Sequence, residues 1–269
     1  MTRIKFKSLS SGSCGNCYYL GIFSEEGACL AAILIDAGVS PRRLKKELER
    51  EGLDIKKING ILITHDHHDH IGSLGSYCKH YHIPVWTHPY LSEALSRRRS
   101  TEQYFPNCSH VMGEGWNEIT PDGLVRARCF ELPHDASHTV GYAISLDGYK
   151  LVIMTDLGRM TIQAGELASQ ADTVIIESNY DPYMLEHGPY PRELKDRIRN
   201  GHGHLSNQEC AAAISNFDHD SLKHVFMCHL SEHNNTPELA MSVSRPILRP
   251  EVRLCPLPRM TPSPMFVLR

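Results

Sequence analysis

Apolar positions along this chain come in short runs, each closed by a turn residue or a polar cluster, so strands outnumber long amphipathic stripes. Residues 4–9 read as a strand, SSGSCGN at 10–16 as a loop, and 17–23 as a second strand. Residues 30–36 form a third, closing in ILID. Ser40-Pro41 then opens a helix, with serine as the cap and proline at the first helical position. Leu44 and Leu48 give that helix one apolar face, and Gly52 ends it. A strand over 60–64, a short helix over 73–80, a strand over 84–87 and a helix over 89–99 follow.

The middle of the chain is richer in strands. Runs at 125–132, 140–146 and 150–155 alternate with turn signals, and Asp147-Gly148 marks a hairpin. A helix near 162–169, a strand at 173–177, a helical region over 191–217 broken at NGHGHLS, a strand at 224–228 and a helix at 236–245 complete the pattern. The proline-rich last stretch reads as a surface wrap with one short strand near 252–255. Strands alternate with helices, yet the hairpin argues against a purely parallel sheet. An α/β fold of two mixed sheets packed together, helices outside, fits the order. Neither a repeat nor a linker interrupts it, so residues 1–269 read as a single domain.

Hydrophobic residues make up 41% of the chain, enough for a sizeable core, and none of the apolar runs reaches membrane-spanning length. The N-terminus carries basic residues without an apolar stretch, and nine cysteines, an odd number, suit reduced thiols; the expected location is the cytoplasm. Net charge is −3. A protein that coats nucleic acid is usually basic, so any contact with such a polymer is expected at an end or through few phosphates. The basic groups around 42–46, 97–99 and 192–199 read as solvated helix faces.

The 17 histidines change the picture because they are not evenly spread. ILITHDHHDHIG places His65, His67, Asp69 and His70 where a buried strand ends. In an extended segment His65 and His67 point to one side and can share an ion, while Asp69 and His70 come as the chain turns. His134, Asp156 and His229 each follow another apolar run, in LPHDA, IMTDLG and VFMCHLS. Ends of strands at one sheet edge converge in space, so these residues are candidates for one site. His68 and Asp66 read as facing away.

Ser206 to Glu209 reads as a capping box at a helix start. The N–H groups there, with Ser206 and Asn207, are candidates for holding a phosphate, and His204 beside them for protonating a leaving oxygen. Asn179 either positions substrate or holds a turn. The 10–16 loop reads as a tight hairpin, with anion binding by its N–H groups as the other reading. The Cys14/Cys17 pair is weak evidence for a metal or redox site. Cys228 alternates away from His229 and reads as core.

The pattern H-x-H-x-D-H after a strand, then single His, Asp and His in order, resembles that of the metallo-β-lactamase fold hydrolases. Asp36, closing ILID, matches the aspartate that steadies the metal loop in that family. SSGSCGN, LPHDA, ESNYD, GHLSN and HLSEHNN resemble the YycJ/VicX-like bacterial subgroup across nearly the whole chain. Tyr180 departs from it, standing where the subgroup has histidine.

The resemblance implies a four-layer αβ/βα sandwich. It implies two divalent ions per chain, Zn2+ or Mn2+, though such ligands also admit iron. His65, His67 and His134 would hold one, Asp69, His70 and His229 the other, with Asp156 between them. A hydroxide bridging the ions would be the nucleophile, with Asp69 and His204 as the catalytic side chains. The implied activity is a metal-dependent phosphodiesterase, a DNA exonuclease working 5′-to-3′, with DNA or RNA ends as the partner and no membrane.

A phosphodiesterase for a small cyclic sugar phosphate or nucleotide is the nearer rival. The lactam-cleaving members are secreted, and the RNA-processing branch carries a large extra domain for which this spacing leaves no room. A di-iron oxidoreductase would have glutamate in place of His67 and a flavin module. A non-catalytic binding protein would not need the full ligand set.

Overall fold

The computed structural model describes residues 1–269. Six strands come first: β1 (Arg3–Gly12), β2 (Gly15–Phe23), β3 (Cys29–Ile35), β4 (Ile58–Leu62), β5 (Val85–Thr87) and β6 (Ser109–Val111). They lie side by side in chain order, antiparallel up to β3 and parallel from β3 to β6. The second sheet repeats the scheme in reverse. It is made of β7 (Asn117–Glu118), β8 (Val125–Glu131), β9 (Val140–Leu146), β10 (Tyr149–Met154), β11 (Thr173–Glu177), β12 (His224–Cys228) and β13 (Arg253–Pro256). Its first four strands are antiparallel, and β10 to β13 are parallel. The last strand, β14 (Phe266–Val267), returns to pair with β1.

Helices α1 (Pro41–Arg50), α2 (His68–Ile71), α3 (Leu74–Tyr81) and α4 (Pro89–Arg97) belong to the first half. Helices α5 (Ile162–Ala168), α6 (Pro182–His187), α7 (Arg192–Arg199), α8 (Asn207–Phe217) and α9 (Pro237–Ser244) belong to the second. Three apolar clusters define four layers. Tyr18, Leu20 and Ile22 of β2 meet Tyr142 and Ile153 of the other sheet in the centre. The intervening Cys17, Tyr19 and Phe23 point outward to Leu44, Leu74 and Leu91 of the first helical layer. Val174 and Ile176 of β11 do the same against Ile214 and Phe217 of α8. Both faces of each sheet are covered, which explains why β2 is buried from end to end and shows no polar alternation.

The expected elements are present, with differences at their edges. Ser40 caps α1 with Pro41 at its start, and Asp147-Gly148 closes the β9–β10 hairpin with positive φ at both residues, as two-residue hairpins require. The expected loop at 10–16 is mostly strand: β1 runs to Gly12 and β2 restarts at Gly15, leaving a tight turn. Strands β6, β7 and β14 and helix α6 were not expected, because each is too short to set up a period. No helix is long and apolar enough to cross a membrane.

Candidate metal centre

Strands of both sheets deliver the chemistry from their C-terminal ends, most of them parallel and β8 antiparallel. Asp36 follows β3, His65 to His70 follow β4, His134 follows β8, Asp156 follows β10, Glu177 ends β11 and His229 follows β12. Asp36, Asp156 and His229 adopt left-handed backbone, with φ of 61°, 53° and 54°. A non-glycine residue there costs about 1 kcal/mol or more, and such strain gathers where function fixes a side chain. Asp69 and His70 arrive on the single helical turn of α2, which lays them beside the extended His65 and His67. That turn packs against the β3–α1 connection so closely that a Cβ on Gly38 would stand 1.7 Å from the Asp69 carbonyl oxygen.

The seven residues converge. Donor atoms of His65, His67 and His134 lie within 4.8 Å of one another, as do those of Asp69, His70 and His229. Asp156 stands between the groups. Its Oδ2 is 3.1 Å from His70 Nε2, and its Oδ1 is 3.7 Å from His134 Nε2.

Four of the imidazoles are held by their Nδ1 atoms. His65 is 3.1 Å from the Thr64 hydroxyl, His70 is 2.7 Å from Asp36 Oδ2, His134 is 2.8 Å from the Gly203 carbonyl and His229 is 2.9 Å from Glu177 Oε1. Such outer partners set the tautomer and leave Nε2 with its lone pair facing inward. Nε2 of His65 and Nε2 of His229 are buried and have no hydrogen-bond partner. Buried polar atoms are rarely left so. These orphaned nitrogens, with carboxylates facing them, fit divalent metal ions.

The electrostatics agree. Burial pushes His65 down, helped by the neighbouring His70, so it is neutral and ready to ligate. Burial also works against charge on His229, but Asp156, Asp69 and Glu177 outweigh it and raise the pKa to about 10. His70 is raised in the same way, against its burial, by Asp36 and Asp156. Asp156 is buried, yet His229 and His70 hold it well below the ordinary carboxylate value. In the protein alone, protons on His70 and His229 balance the carboxylates; a cation is the natural replacement.

Several supporting residues carry no periodic signal. Asn16 Nδ2 donates to Asp69 Oδ2 at 3.0 Å and to the Gly12 carbonyl at 3.1 Å. Thr64 donates N–H and hydroxyl to Asp36. Glu177, fully buried, accepts from His204 Nδ1 at 2.8 Å and from the N–H groups of Leu157 and Leu205. Asn16 closes SSGSCGN and Glu177 opens ESNYD, but only their side-chain reach marks them out.

A cavity of about 250 Å³ opens over the centre and is lined by His67, Asp69, His134, Asp156, His204 and His229. Asn179 lines it too, and its Nδ2 donates to the His229 carbonyl at 2.7 Å. Ser206 and Asn207 are not among the residues lining this cavity. The Ser206 hydroxyl is spent on Glu209 in the capping box, and buried Asn207 is paired reciprocally with the Asn235 amide. At the helix start, Asn207 N–H is given to the Tyr180 carbonyl and Glu209 N–H to Ser206. Tyr180 itself is buried against Leu185 and Ile198. Cys14 is exposed in the turn while Cys17 lies in the helix-side core, so the pair does not form a site.

Residues 31–229 match the family model described as the beta-lactamase superfamily domain. The chain belongs to the beta-lactamase superfamily. Within this superfamily it is 32% identical over 246 residues to a Bacillus anthracis protein named exodeoxyribonuclease YycJ, covering 90% of this chain and 88% of that one. It is 29% identical over 236 residues to exodeoxyribonuclease WalJ of Streptococcus pneumoniae, covering 88% and 85%. The superfamily fold is seen in the metallo-beta-lactamase fold protein YhfI of Bacillus subtilis, with a TM-score of 0.68, 13% identity and coverage of 97% and 99%. The chain is thus a YycJ-like metallo-β-lactamase fold hydrolase.

Proposed function

We propose that this protein is a metal-dependent phosphodiesterase that shortens DNA from an end, in the 5′-to-3′ direction its YycJ-like resemblance implies. The observation that carries the reading is the pair of donor groups joined through Asp156. His65, His67 and His134 would hold one ion and Asp69, His70 and His229 another, Zn2+ or Mn2+ by ligand type. Two such ions, when bound, supply an activated water and a clamp on the phosphoryl oxygens.

The chain's own residues do the rest. His204 lines the cavity with Nδ1 held by Glu177. Burial opposes its charge, but Glu177 prevails and raises its pKa above the ordinary histidine value. The protonated form of His204 thus persists to higher pH than that of an ordinary histidine, and its other nitrogen is free to give the proton to a leaving oxygen. Asn179, fixed through the His229 carbonyl, lines the same cavity and would meet a phosphate group bound there. The relatives named exodeoxyribonucleases support DNA as the polymer. A negative chain with local site chemistry suits an enzyme that grips few phosphates.

The test is a gel assay of end-labelled single- and double-stranded DNA with added Mn2+ or Zn2+, beside Asp69→Ala. Shortening by the wild type alone is expected. Hydrolysis of small cyclic diesters with DNA left intact would replace the nuclease reading by the small-substrate one.

A further inference from the structure

The cavity has two walls of unlike chemistry. One is the donor set. The other belongs to the segment between β11 and α8, where Tyr190 precedes α7 and Leu194, Arg197 and Ile198 lie on it. These positions recur at helical spacing, so one face of α7 is turned toward the cavity. Three of the cavity's four apolar residues stand on this segment, the fourth being Leu230. The segment packs apart from the three main cores, in a small cluster of its own around Leu185 and Ile198.

Cutting a bare phosphodiester calls for no apolar wall opposite the ligands. A substrate that uses one carries a flat apolar group beside its phosphate. Tyr190 is half-buried and edge-on to His233, with ring centroids 5.9 Å apart, so its ring is held in place. Arg197 is the one lysine or arginine lining the cavity. Its Nε is tied to Asp135, whose Oδ1 lies 3.3 Å from His134 Nε2. Nη1 and Nη2 make no bond within the protein, and the side chain is 58% exposed. The guanidinium is thus anchored next to the donor set with donors to spare. The volume, about 250 Å³, is of the order of a single nucleotide.

We propose that this wall is a nucleoside subsite for the unpaired end of a DNA strand. The terminal base lies against Tyr190 and Leu194, and the free donors of Arg197 take the phosphate adjoining the one that is cut. The subsite rests on the nuclease reading and deepens it, by making a nucleoside, rather than a bare sugar phosphate, the group recognised.

Two esters with one leaving group isolate the nucleoside, joined through its 3′-oxygen as at a 5′ end: thymidine 3′-(p-nitrophenyl phosphate) and methyl p-nitrophenyl phosphate. The readout is the ratio of their kcat/KM values, with KM for a single-stranded oligonucleotide beside it. Stacking on one aromatic ring is worth roughly tenfold. Tyr190→Ala is expected to cut the ratio and raise the strand KM by about that factor, and Tyr190→Phe to keep both. Arg197→Gln is expected to raise KM for the strand, which has an adjoining phosphate, more than for either ester. Equal losses on both esters in Tyr190→Ala would mean a structural role and overturn the subsite, as would an unchanged ratio. Wild type that hydrolyses both esters but spares DNA would overturn the nuclease reading, while the ratio still judges the subsite.

Discussion

Replacing Glu177 by glutamine probes the link between the metal centre and the proton donor. Oε1 accepts from His204 Nδ1 at 2.8 Å and His229 Nδ1 at 2.9 Å. Oε2 accepts from Leu157 N at 2.9 Å and Leu205 N at 3.1 Å. A glutamine puts an NH2 group in place of one oxygen. Whichever way the amide is set, two of the four donors then face a donor. Each buried donor left unsatisfied costs about 1–3 kcal/mol, so the pair costs roughly 2–6 kcal/mol of folding stability. Loss of an outer partner of a ligating histidine also lowers metal affinity or activity by about 10–100-fold. The acid form of His204 disappears as pH rises through its pKa, which Glu177 raises. In Glu177→Gln the alkaline limb of the kcat profile therefore moves to lower pH. Thermal melts, chelator competition and a pH–rate profile measure the three effects. Wild-type metal affinity with an unmoved alkaline limb would refute the view that Glu177 orients both histidines.

Other expectations follow from the same geometry. His229, with a pKa of about 10 in the metal-free protein, must lose its proton to ligate, so metal uptake near neutral pH releases protons and tightens as pH rises toward that value. Calorimetry in buffers of different ionisation heat would show this, and a buffer-independent heat would contradict it. Gly38→Ala drives a methyl into the Asp69 carbonyl and should cost at least about 1–3 kcal/mol, together with metal affinity; denaturant unfolding of the variant measures it. Thr64→Val takes one donor from buried Asp36 and the acceptor from His65 Nδ1, an expected loss of roughly 1–3 kcal/mol in the same assay. Initial degradation rates at low substrate should fall only weakly with salt, with a log–log slope no steeper than about −2, since few phosphates are gripped; a much steeper slope would mean a long basic track.

What the chain discloses by itself depends on how local each signal is. His65, His67, Asp69 and His70 are legible because one strand end carries them all, and His134, Asp156 and His229 because each follows an apolar run. The two mixed sheets are legible because strands alternate with helices while Asp147-Gly148 marks a hairpin. Asn16, Thr64 and Glu177 are not, since their roles lie in hydrogen bonds to residues far along the chain, as between Asn16 and Asp69. The left-handed backbone at Asp36, Asp156 and His229 has no compositional mark either. Ser206 and Asn207 show the converse. A helix start looks like an anion site from its spacing, but here the side chains of both residues are paired with Glu209 and Asn235. Arg197 reads as part of a solvated basic helix face, and Tyr190 and Leu194 carry no signal of their own, until the cavity gives that segment something to face.

The most direct test of the central claim compares linear and covalently closed circular single-stranded DNA. The protein is first stripped with chelator and then reloaded with Mn2+ or Zn2+. The account predicts release of acid-soluble nucleotides from the linear strand only, only after metal is restored, and not by Asp156→Ala. Circular strands cut as fast as linear ones, or release that persists without metal, would contradict it.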